Sequence, residues 1–177
     1  TTTEPLIRTY FDAFNRGDSE GMFACLADDV VHDVNQGIRR KGKAAFRTFS
    51  QHMSRCYREE LTEIVVMAAG DGSRAAADFN VHGTYLQTDE GLPPANGQTY
   101  VLPAGTFFAV KDGRITRVTT YYNLTDWLMQ VTGDEVGLLP GRVDEHVLSR
   151  WHYRDEISRD LTLRDRSAIY GGFHLYV

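Results

Sequence analysis

The sequence predicts an α+β domain in which helices pack on one side of a curved antiparallel sheet. Helical spacing of apolar residues dominates the first third of the chain, whereas the middle third contains two hairpins with alternating side chains. Strands and helices do not alternate as they do in parallel βαβ folds. The order of helices, strand, helix and antiparallel meander therefore favours two layers, with the helices on one face of the sheet.

Three helices are predicted ahead of the hairpins. Thr3 can cap the first helix, whose apolar residues recur at helical spacing until Gly17. Asp18 can cap a second, shorter helix, and a short strand follows at Val30 to Val34. The third helix is predicted to start near Lys43, with an apolar face made of Ala45, Phe46, Phe49, Met53 and Tyr57.

Two hairpins make the predicted sheet. The strands at Leu61 to Ala68 and at Arg74 to Leu86 are reversed by a turn at Gly70-Asp71-Gly72. A second pair of strands lies between Gln98 and Asn123. It is joined at Asp112-Gly113, because an Asp-Gly pair supplies the positive backbone angles that a tight hairpin needs.

The last strand of the second hairpin mixes polar and apolar groups on both faces. Since a strand buried on both sides would be nearly all apolar, we expect one face to line a partly polar cavity and the other to meet solvent or a partner. On the preceding hairpin, Asp78, Asn80, His82 and Thr84 share one face. We favour an outward orientation for that face, as a solvated or dimer-forming surface; an inward orientation would supply a second acid–base set.

Composition argues against several classes of function. The 177 residues, 42% of them hydrophobic, suffice for one domain with a sizeable core. A net charge of -5 argues against a nucleic-acid partner, and no apolar run approaches the ~20 residues that span a bilayer. Cys25 and Cys56 lie in apolar helical patterns, so core thiols in a reducing cytoplasm are expected. We expect no cofactor, and no metal site, because no ligand spacing indicates one.

The character of the sequence changes after a closing helical segment predicted at Leu124 to Val131. Residues 133–177 are rich in charges of both signs and end in an aromatic tail. Residues 1–132 are therefore assigned to the main domain and residues 133–177 to an arm, which could clasp a neighbouring subunit. A homodimer is the expected assembly.

Several short motifs carry a resemblance to a known family. They are Tyr10 followed by Gly17-Asp18, Ala27-Asp28-Asp29 ahead of a strand, Gly42 at the start of the third helix, and Asp112-Gly113-Arg114-Ile115 leading to Tyr121-Tyr122. With these motifs, residues 4–131 resemble the ketosteroid isomerase and SnoaL-like branch of the nuclear-transport-factor-like fold. The resemblance implies a cone of curved sheet closed by three helices, with a small-molecule pocket inside.

The resemblance also implies roles for individual residues. Ketosteroid isomerase moves a proton with an Asp base, while a Tyr and a protonated Asp donate hydrogen bonds to the enolate oxygen. Tyr10 matches the donor tyrosine. Asp33 matches the base with a one-residue gap, whereas the ungapped register places Val34 there and turns His32 inward. The protonated acid aligns near Gly105-Thr106, so the donor pair of the steroid enzyme is not reproduced.

Each candidate also has a structural interpretation. Asp33 can cap the following turn, His32 can be a hydrogen-bonded structural histidine, and Tyr10 can be a core aromatic residue. Asn35 favours a turn, although its amide could bind a substrate carbonyl. The residues expected to contact substrate are Asn35, Tyr57, His82, Thr106, Phe108 and Tyr122.

These features together predict an enzyme that transfers protons without a cofactor, of the isomerase, cyclase or lyase kind. Its substrate would be a small, mostly apolar molecule bearing a carbonyl or hydroxyl. Asp33 or His32 would move the proton, and Tyr10 would donate a hydrogen bond. A non-catalytic binding or dimerisation module is the alternative. Epoxide hydrolysis is a third possibility, which an inward Asp78 would favour.

Overall fold

The computed structural model describes residues 2–35 and 37–133, which form a six-stranded sheet and its helices. The α+β class predicted from the sequence is confirmed, whereas the predicted arm lies outside the described residues from 134 onward. Among the described helices, none is long and apolar enough to cross a bilayer.

The helices are α1 (Thr3–Asn15), α2 (Ser19–Ala24), α3 (Lys43–Cys56) and α4 (Leu124–Thr132). The strands are β1 (Leu26–Val34), β2 (Arg40–Lys41), β3 (Tyr57–Ala68), β4 (Arg74–Tyr85), β5 (Thr99–Lys111) and β6 (Arg114–Tyr122).

The sheet has the strand order β2-β1-β6-β5-β4-β3. The hairpin-linked strands pair in antiparallel fashion, as predicted, but β1 and β6 pair in parallel. No tight turn joins these two strands, so their relative direction is not restricted to antiparallel. The described sheet is therefore mixed, and its parallel pair places β1 beside the second hairpin.

Burial alternates along the strands and separates an inner face from an outer face. Every second residue of β4 is buried, from Ala75 to Tyr85. Helix α1 packs against β3 and β4, α3 against β1, and α4 against β5. The face that contacts the helices is here called the inner face, and the opposite, more exposed face is called the outer face.

Aromatic rings fill part of the space between α1 and the inner face. Tyr10 and Phe11 of α1 contact Phe79 and Phe108 of the sheet, with ring centroids 5.3 to 5.8 Å apart. These rings meet edge-on or tilted, which is the favourable geometry for aromatic pairs. Tyr10 therefore belongs to a packed part of the core.

Two element boundaries differ from the prediction. Tyr57, expected on the apolar face of the third helix, instead begins β3 and pairs with Tyr85. Strand β1 begins at Leu26 rather than at Val30, because Leu26 already pairs with Ile115 of β6. In both cases pairing with a distant strand overrides the local apolar pattern.

Two of the three turn and capping motifs at Asp18, Asp112-Gly113 and Thr3 take the role that the sequence predicts. Asp18 caps α2 by accepting a hydrogen bond of 2.8 Å from the backbone N–H of Gly21. Asp112 and Gly113 both have positive φ angles, of 51° and 69°, as a tight hairpin requires. Thr3 does not cap α1; its hydroxyl donates to the carbonyl of Gly72 over 2.7 Å instead.

The last residue of α1 connects this helix to the edge of the sheet. The Asn15 amide donates to the Leu61 carbonyl over 2.8 Å and accepts from the Leu61 N–H over 2.9 Å. Strand β3 lies at the edge of the sheet, next to an irregularity where Glu63 has a φ of 55°. The Asn15 side chain thus satisfies two backbone groups that would otherwise lack partners on this edge.

We expect Asn15→Ala to lower the free energy of unfolding by about 1–3 kcal/mol, because it removes both hydrogen bonds to Leu61. Urea denaturation at neutral pH measures this loss. Asn15→Asp is the matched control: it keeps an acceptor for the Leu61 N–H but has no donor, so it should fall between the wild type and Asn15→Ala. Two variants as stable as the wild type would contradict the proposed connection.

Candidate active site

His32 and Asp33, the two candidate proton carriers, lie on opposite faces of β1. His32 faces inward, where its ring stacks on Phe46 with centroids 3.8 Å apart and lies 4.8 Å from Phe49. Burial, followed by the charge of Arg40, lowers the pKa of His32 to about 4, so the imidazole is neutral at pH 7. Its Nδ1 is buried and has no hydrogen-bond partner among the described residues.

Asp33 faces outward, which corrects the expectation that it would act as a base inside the cone. Adjacent residues of a strand point to opposite faces, so an inward His32 requires an outward Asp33. The Asp33 carboxylate is buried and accepts a hydrogen bond of 3.0 Å from the Nε of Arg39. The ungapped register of the family resemblance is the one that the structure follows.

Tyr10, Thr106 and Phe108 lie on the inner side of the sheet. Burial, and next the nearby Cys25, raise the pKa of Tyr10, whose hydroxyl makes no hydrogen bond to the described residues. The Thr106 hydroxyl lies 2.9 Å from that of Thr120, and Phe108 is fully buried. Tyr10, Thr106 and Phe108 are each less than a tenth exposed, so a ligand could reach them only by displacing core side chains.

Asn35 and His82 do not line a pocket on the inner face. Asn35 has a left-handed φ of 48°, and its side chain accepts from the N–H of Tyr122 over 2.9 Å. It therefore ties the end of β1 to β6. His82 and Asp78 are exposed on the outer face, which confirms the predicted outward orientation and removes His82 from the inner-face contacts.

The structure brings together a carboxylate and a phenol that the sequence analysis did not single out. The Tyr100 hydroxyl donates to Oε1 of Glu59 over 2.6 Å. Gly83 stands opposite both residues in the sheet register, and a Cβ at this position would overlap the Tyr100 ring. Gly83 thus allows the Tyr100 ring to cross β4 and reach Glu59.

Burial sets the proton affinities of this pair. It raises the pKa of Glu59, and the hydrogen bond from Tyr100 opposes part of that increase. Burial and the charge of Glu59 raise the pKa of Tyr100. Glu59 is half-buried, whereas Tyr100 is buried. Glu59 is therefore a carboxyl group with a raised pKa whose side chain is still partly exposed to solvent.

A second pair of a carboxylate and a phenol lies nearby. The carboxylate is Asp89, on the loop between β4 and β5, and the phenol is Tyr57, at the start of β3. The Tyr57 hydroxyl donates to Oδ2 of Asp89 over 2.9 Å, and the His52 Nε2 lies 2.8 Å from Oδ1. The backbone N–H of Asp89 donates to the Tyr85 hydroxyl over 2.8 Å. The Tyr57 ring stacks on that of Tyr85 at 5.2 Å. This loop is thus held against α3 and β3 by polar contacts.

Tyr122 completes the group. Its pKa is raised by burial, then by the charges of Glu59 and Asp89. Its hydroxyl makes no hydrogen bond within the described part of the chain and is only half-buried. The name acid–phenol cluster is used here for Tyr57, Glu59, Asp89, Tyr100 and Tyr122.

The chemistry available to the acid–phenol cluster is proton transfer. A half-buried carboxyl with raised pKa can accept and return a proton, and phenols can donate hydrogen bonds to a developing negative charge. Tyr57 and Tyr122 were predicted as pocket residues; Glu59, Asp89 and Tyr100 were missed. A glycine inside the β4 pattern, at Gly83, was the signal in the sequence that a side chain passes close to the backbone there.

Two open clefts lie at the surface, and one of them borders the Glu59–Tyr100 pair. One, of about 700 Å³, is lined by Asp33, Gly37, Arg39, Phe107, Arg117, Thr119 and Tyr121. The other, of about 840 Å³, is lined by Glu59, Tyr100, Gly83 and Asn15 together with outer-face side chains that include Arg58, Glu60 and His82. Both are open surface depressions, and the second gives Glu59 and Tyr100 contact with the surface.

A mixed sheet covered by helices on one face, enclosing buried acids and phenols, defines a cone of the nuclear-transport-factor-like class. A protein of this class from Burkholderia pseudomallei matches with a TM-score of 0.60 over 75% of this chain and 98% of its own, at 18% identity, which shows the fold alone. Residues 7–118 match the model of the SnoaL-like domain. The chain therefore belongs to the SnoaL-like family.

Solved structures of higher identity extend this assignment. A candidate polyketide cyclase from Pseudomonas putida is 61% identical, with a TM-score of 0.72, and the match covers 74% of this chain and 98% of that protein. Another from Silicibacter is 60% identical, with a TM-score of 0.71, over 73% and 94% of the two chains. No curated protein matches the chain.

His32 makes the stability of the protein depend on pH. Its folded pKa of about 4 lies below the value of 6.5 for a free histidine, so the unfolded chain binds more protons between these pH values. Stability is fully present above pH 6.5 and falls as the pH drops toward 4, by about 3 kcal/mol from this residue. Urea denaturation from pH 7 to pH 4 should show a shallower loss in His32→Gln. His82→Gln, which changes an exposed histidine, should follow the wild type; equal slopes for all three proteins would contradict the assignment.

Proposed function

We propose that the protein is an acid–base enzyme of the cyclase or isomerase type, with Glu59 as the group that carries the proton. The observation behind this is the Glu59 carboxyl on the inner face, held by the Tyr100 phenol at 2.6 Å, with Tyr122 on the same face of the sheet. The substrate is a small, mostly apolar molecule with a carbonyl group, because the rings of Tyr100 and Tyr122 lie on the same inner face as Glu59 and can contact apolar groups.

In this mechanism Glu59 takes a proton from the carbon next to the substrate carbonyl. The electron pair of the broken C–H bond moves toward the carbonyl oxygen, to which Tyr122 donates a hydrogen bond. Tyr100 keeps the carboxylate in one orientation. Return of the proton to another carbon gives an isomer. Attack of the carbanion on a second carbonyl forms a C–C bond, and the resulting alkoxide takes the proton back from Glu59, which gives a cyclised product.

His32 is a second candidate for the proton carrier, since it also faces inward and its Nδ1 lacks a partner among the described residues. It is only 3% exposed and stacks on Phe46, so a substrate would have to displace core side chains to reach it. Glu59 lines the cleft of about 840 Å³, so a substrate can approach it from that cleft. Asp78, the residue that an epoxide hydrolase would need on the inside, is exposed on the outer face, which disfavours that alternative.

The test is exchange of carbon-bound hydrogen for deuterium in a panel of aromatic and alicyclic ketones, followed by NMR in heavy water. We expect Glu59→Gln to lower the enzyme-dependent exchange rate by about 10²–10⁴-fold, because it removes the general base. Tyr122→Phe should lower it by ~10²–10³-fold through loss of one donor to the oxyanion. Glu60→Gln is the matched control, since Glu60 adjoins Glu59 but is exposed on the outer face.

Each outcome of this experiment separates the alternatives. Full exchange by Glu59→Gln together with loss of exchange in His32→Gln would move the proton carrier to His32. Ketones that raise the melting temperature but do not exchange with any protein would favour a binding module without catalysis. Loss of exchange in Glu60→Gln as well would mean that the effect is not specific to the inner carboxylate.

We also propose that the protein is a homodimer formed through the outer face. This face exposes large apolar side chains at Val65, Met67, Val101, Phe107 and Tyr121. It also carries opposite charges: the buried Nε of Arg117 has no partner among the described residues, while Asp78 and Glu60 are exposed. Such a surface can be self-complementary under two-fold symmetry, which supports a second copy as the partner.

Sedimentation velocity at micromolar concentration should show the wild type as a dimer and Phe107→Glu as a monomer, because a charge would replace a half-exposed ring on the outer face. Leu124→Glu changes a similarly exposed residue at the start of α4 and should remain dimeric. A monomeric wild type, or a dimer that persists in Phe107→Glu, would count against this interface.

A further inference from the structure

Three potential metal ligands converge where the end of α3 meets the loop between β4 and β5. They are His52 and Cys56, one helical turn apart on α3, and Asp89 on the loop. The Nε2 of His52 lies 2.8 Å from Oδ1 of Asp89 and 3.9 Å from Sγ of Cys56. All three ligand atoms lie within 4.8 Å of one another.

The way in which these groups meet distinguishes a metal site from a catalytic triad. In a Cys-His-Asp triad the acid binds one ring nitrogen and the thiol binds the other, so that the imidazole relays a proton. Here the carboxylate oxygen and the sulfur both approach Nε2. Groups that converge on one nitrogen cannot form that relay, but they can share a single cation placed between them.

The separations agree with the size of a small divalent cation. Zinc binds nitrogen and oxygen at roughly 2.0–2.1 Å and sulfur at roughly 2.3 Å, which places neighbouring tetrahedral ligand atoms ~3.3–3.7 Å apart. The observed His52–Asp89 separation of 2.8 Å is about half an ångström shorter than this range, and the His52–Cys56 separation of 3.9 Å is slightly longer. His52 is 41% exposed and Asp89 is on a loop, so both can adjust.

A supporting hydrogen bond orients the carboxylate. The other oxygen of Asp89, Oδ2, accepts from the buried Tyr57 hydroxyl over 2.9 Å, and the Asp89 N–H donates to Tyr85. Metal-binding carboxylates are commonly fixed by such contacts outside the ligand set. The exposure of His52 leaves a side open where water could complete a fourth position.

We propose that His52, Cys56 and Asp89 form a site for one zinc-class divalent cation, which ties the β4–β5 loop to the end of α3. A thiolate, an imidazole and a carboxylate are the mixed ligand set that zinc accepts, and the thiolate disfavours magnesium and calcium. This site is separate from the proton transfer proposed for Glu59, and it does not depend on that function.

The first experiment is titration of the full chain, freed of metal by a chelator, with zinc chloride in a calorimeter. We expect one zinc per chain from this site and a rise in the melting temperature. His52→Gln should weaken the affinity by more than about 100-fold through loss of a ligand, and Tyr57→Phe by roughly 10-fold through loss of the supporting hydrogen bond. Unchanged affinity in His52→Gln would overturn the proposal.

Matched variants exclude zinc bound elsewhere. His82→Gln, Cys25→Ser and Glu90→Gln change another histidine, the other cysteine and the acidic neighbour of Asp89. All three should bind zinc as the wild type does. If one of them, rather than His52→Gln, abolished binding, zinc would be held at a different site and the proposal would fail.

Cobalt supplies a readout of the sulfur ligand that does not rely on affinity. Cobalt(II) bound to a thiolate gives an intense charge-transfer absorption in the near ultraviolet, which should be present in the wild type and absent in Cys56→Ser. If Cys56→Ser does not fold, protection of Cys56 from alkylation by bound zinc in the wild type replaces this measurement. A cobalt complex without the charge-transfer band, or a thiol that zinc does not protect, would exclude Cys56 as a ligand.

Discussion

Alternation of side chains along the strands is the constraint on which the rest of the structure depends. The helices cover one face of the sheet, so a shift of one residue in any strand would exchange its buried and exposed side chains. Burial of a single large apolar side chain contributes about 1.5–3 kcal/mol. On β1, Leu26 and Val30 are buried with almost no exposure and fix this register. The orientations of His32 and Asp33 follow from it.

The same constraint explains how much of the fold the sequence could predict. Helix α1, the hairpin turn at Asp112-Gly113 and the outward face of β4 each depend on local spacing or on a turn residue, and they were predicted correctly. The start of β3 depends on pairing with a strand that lies far along the chain. Tyr57 fits a helical face by its spacing, but its partner in the sheet is Tyr85, and that pairing determines its structure.

The candidate site was less predictable for a related reason. Tyr100 and Glu59 are 41 positions apart in the sequence, and Tyr57 and Asp89 are 32 apart. Nothing in local spacing specifies such cross-strand and loop contacts. The family resemblance pointed instead to Tyr10, which lies on the inner side but is enclosed by Phe11 and other rings. Position and orientation were therefore predictable for Tyr10, whereas its accessibility depended on packing.

The two carboxylates of the acid–phenol cluster differ in how their oxygens are used, and this difference suggests separate tasks. Both oxygens of Asp89 are engaged, Oδ2 by Tyr57 and Oδ1 by His52. To take a proton from a substrate, Asp89 would have to give up one of the contacts that hold its loop. Glu59 accepts through Oε1 alone, and its Oε2 accepts no hydrogen bond from the described residues. A carboxylate oriented by one phenol and free on its other oxygen can meet a substrate proton without loosening the fold. The hydrogen bonds of Asp89 thus hold the β4–β5 loop in place, whereas Glu59 has an oxygen free to accept the substrate proton.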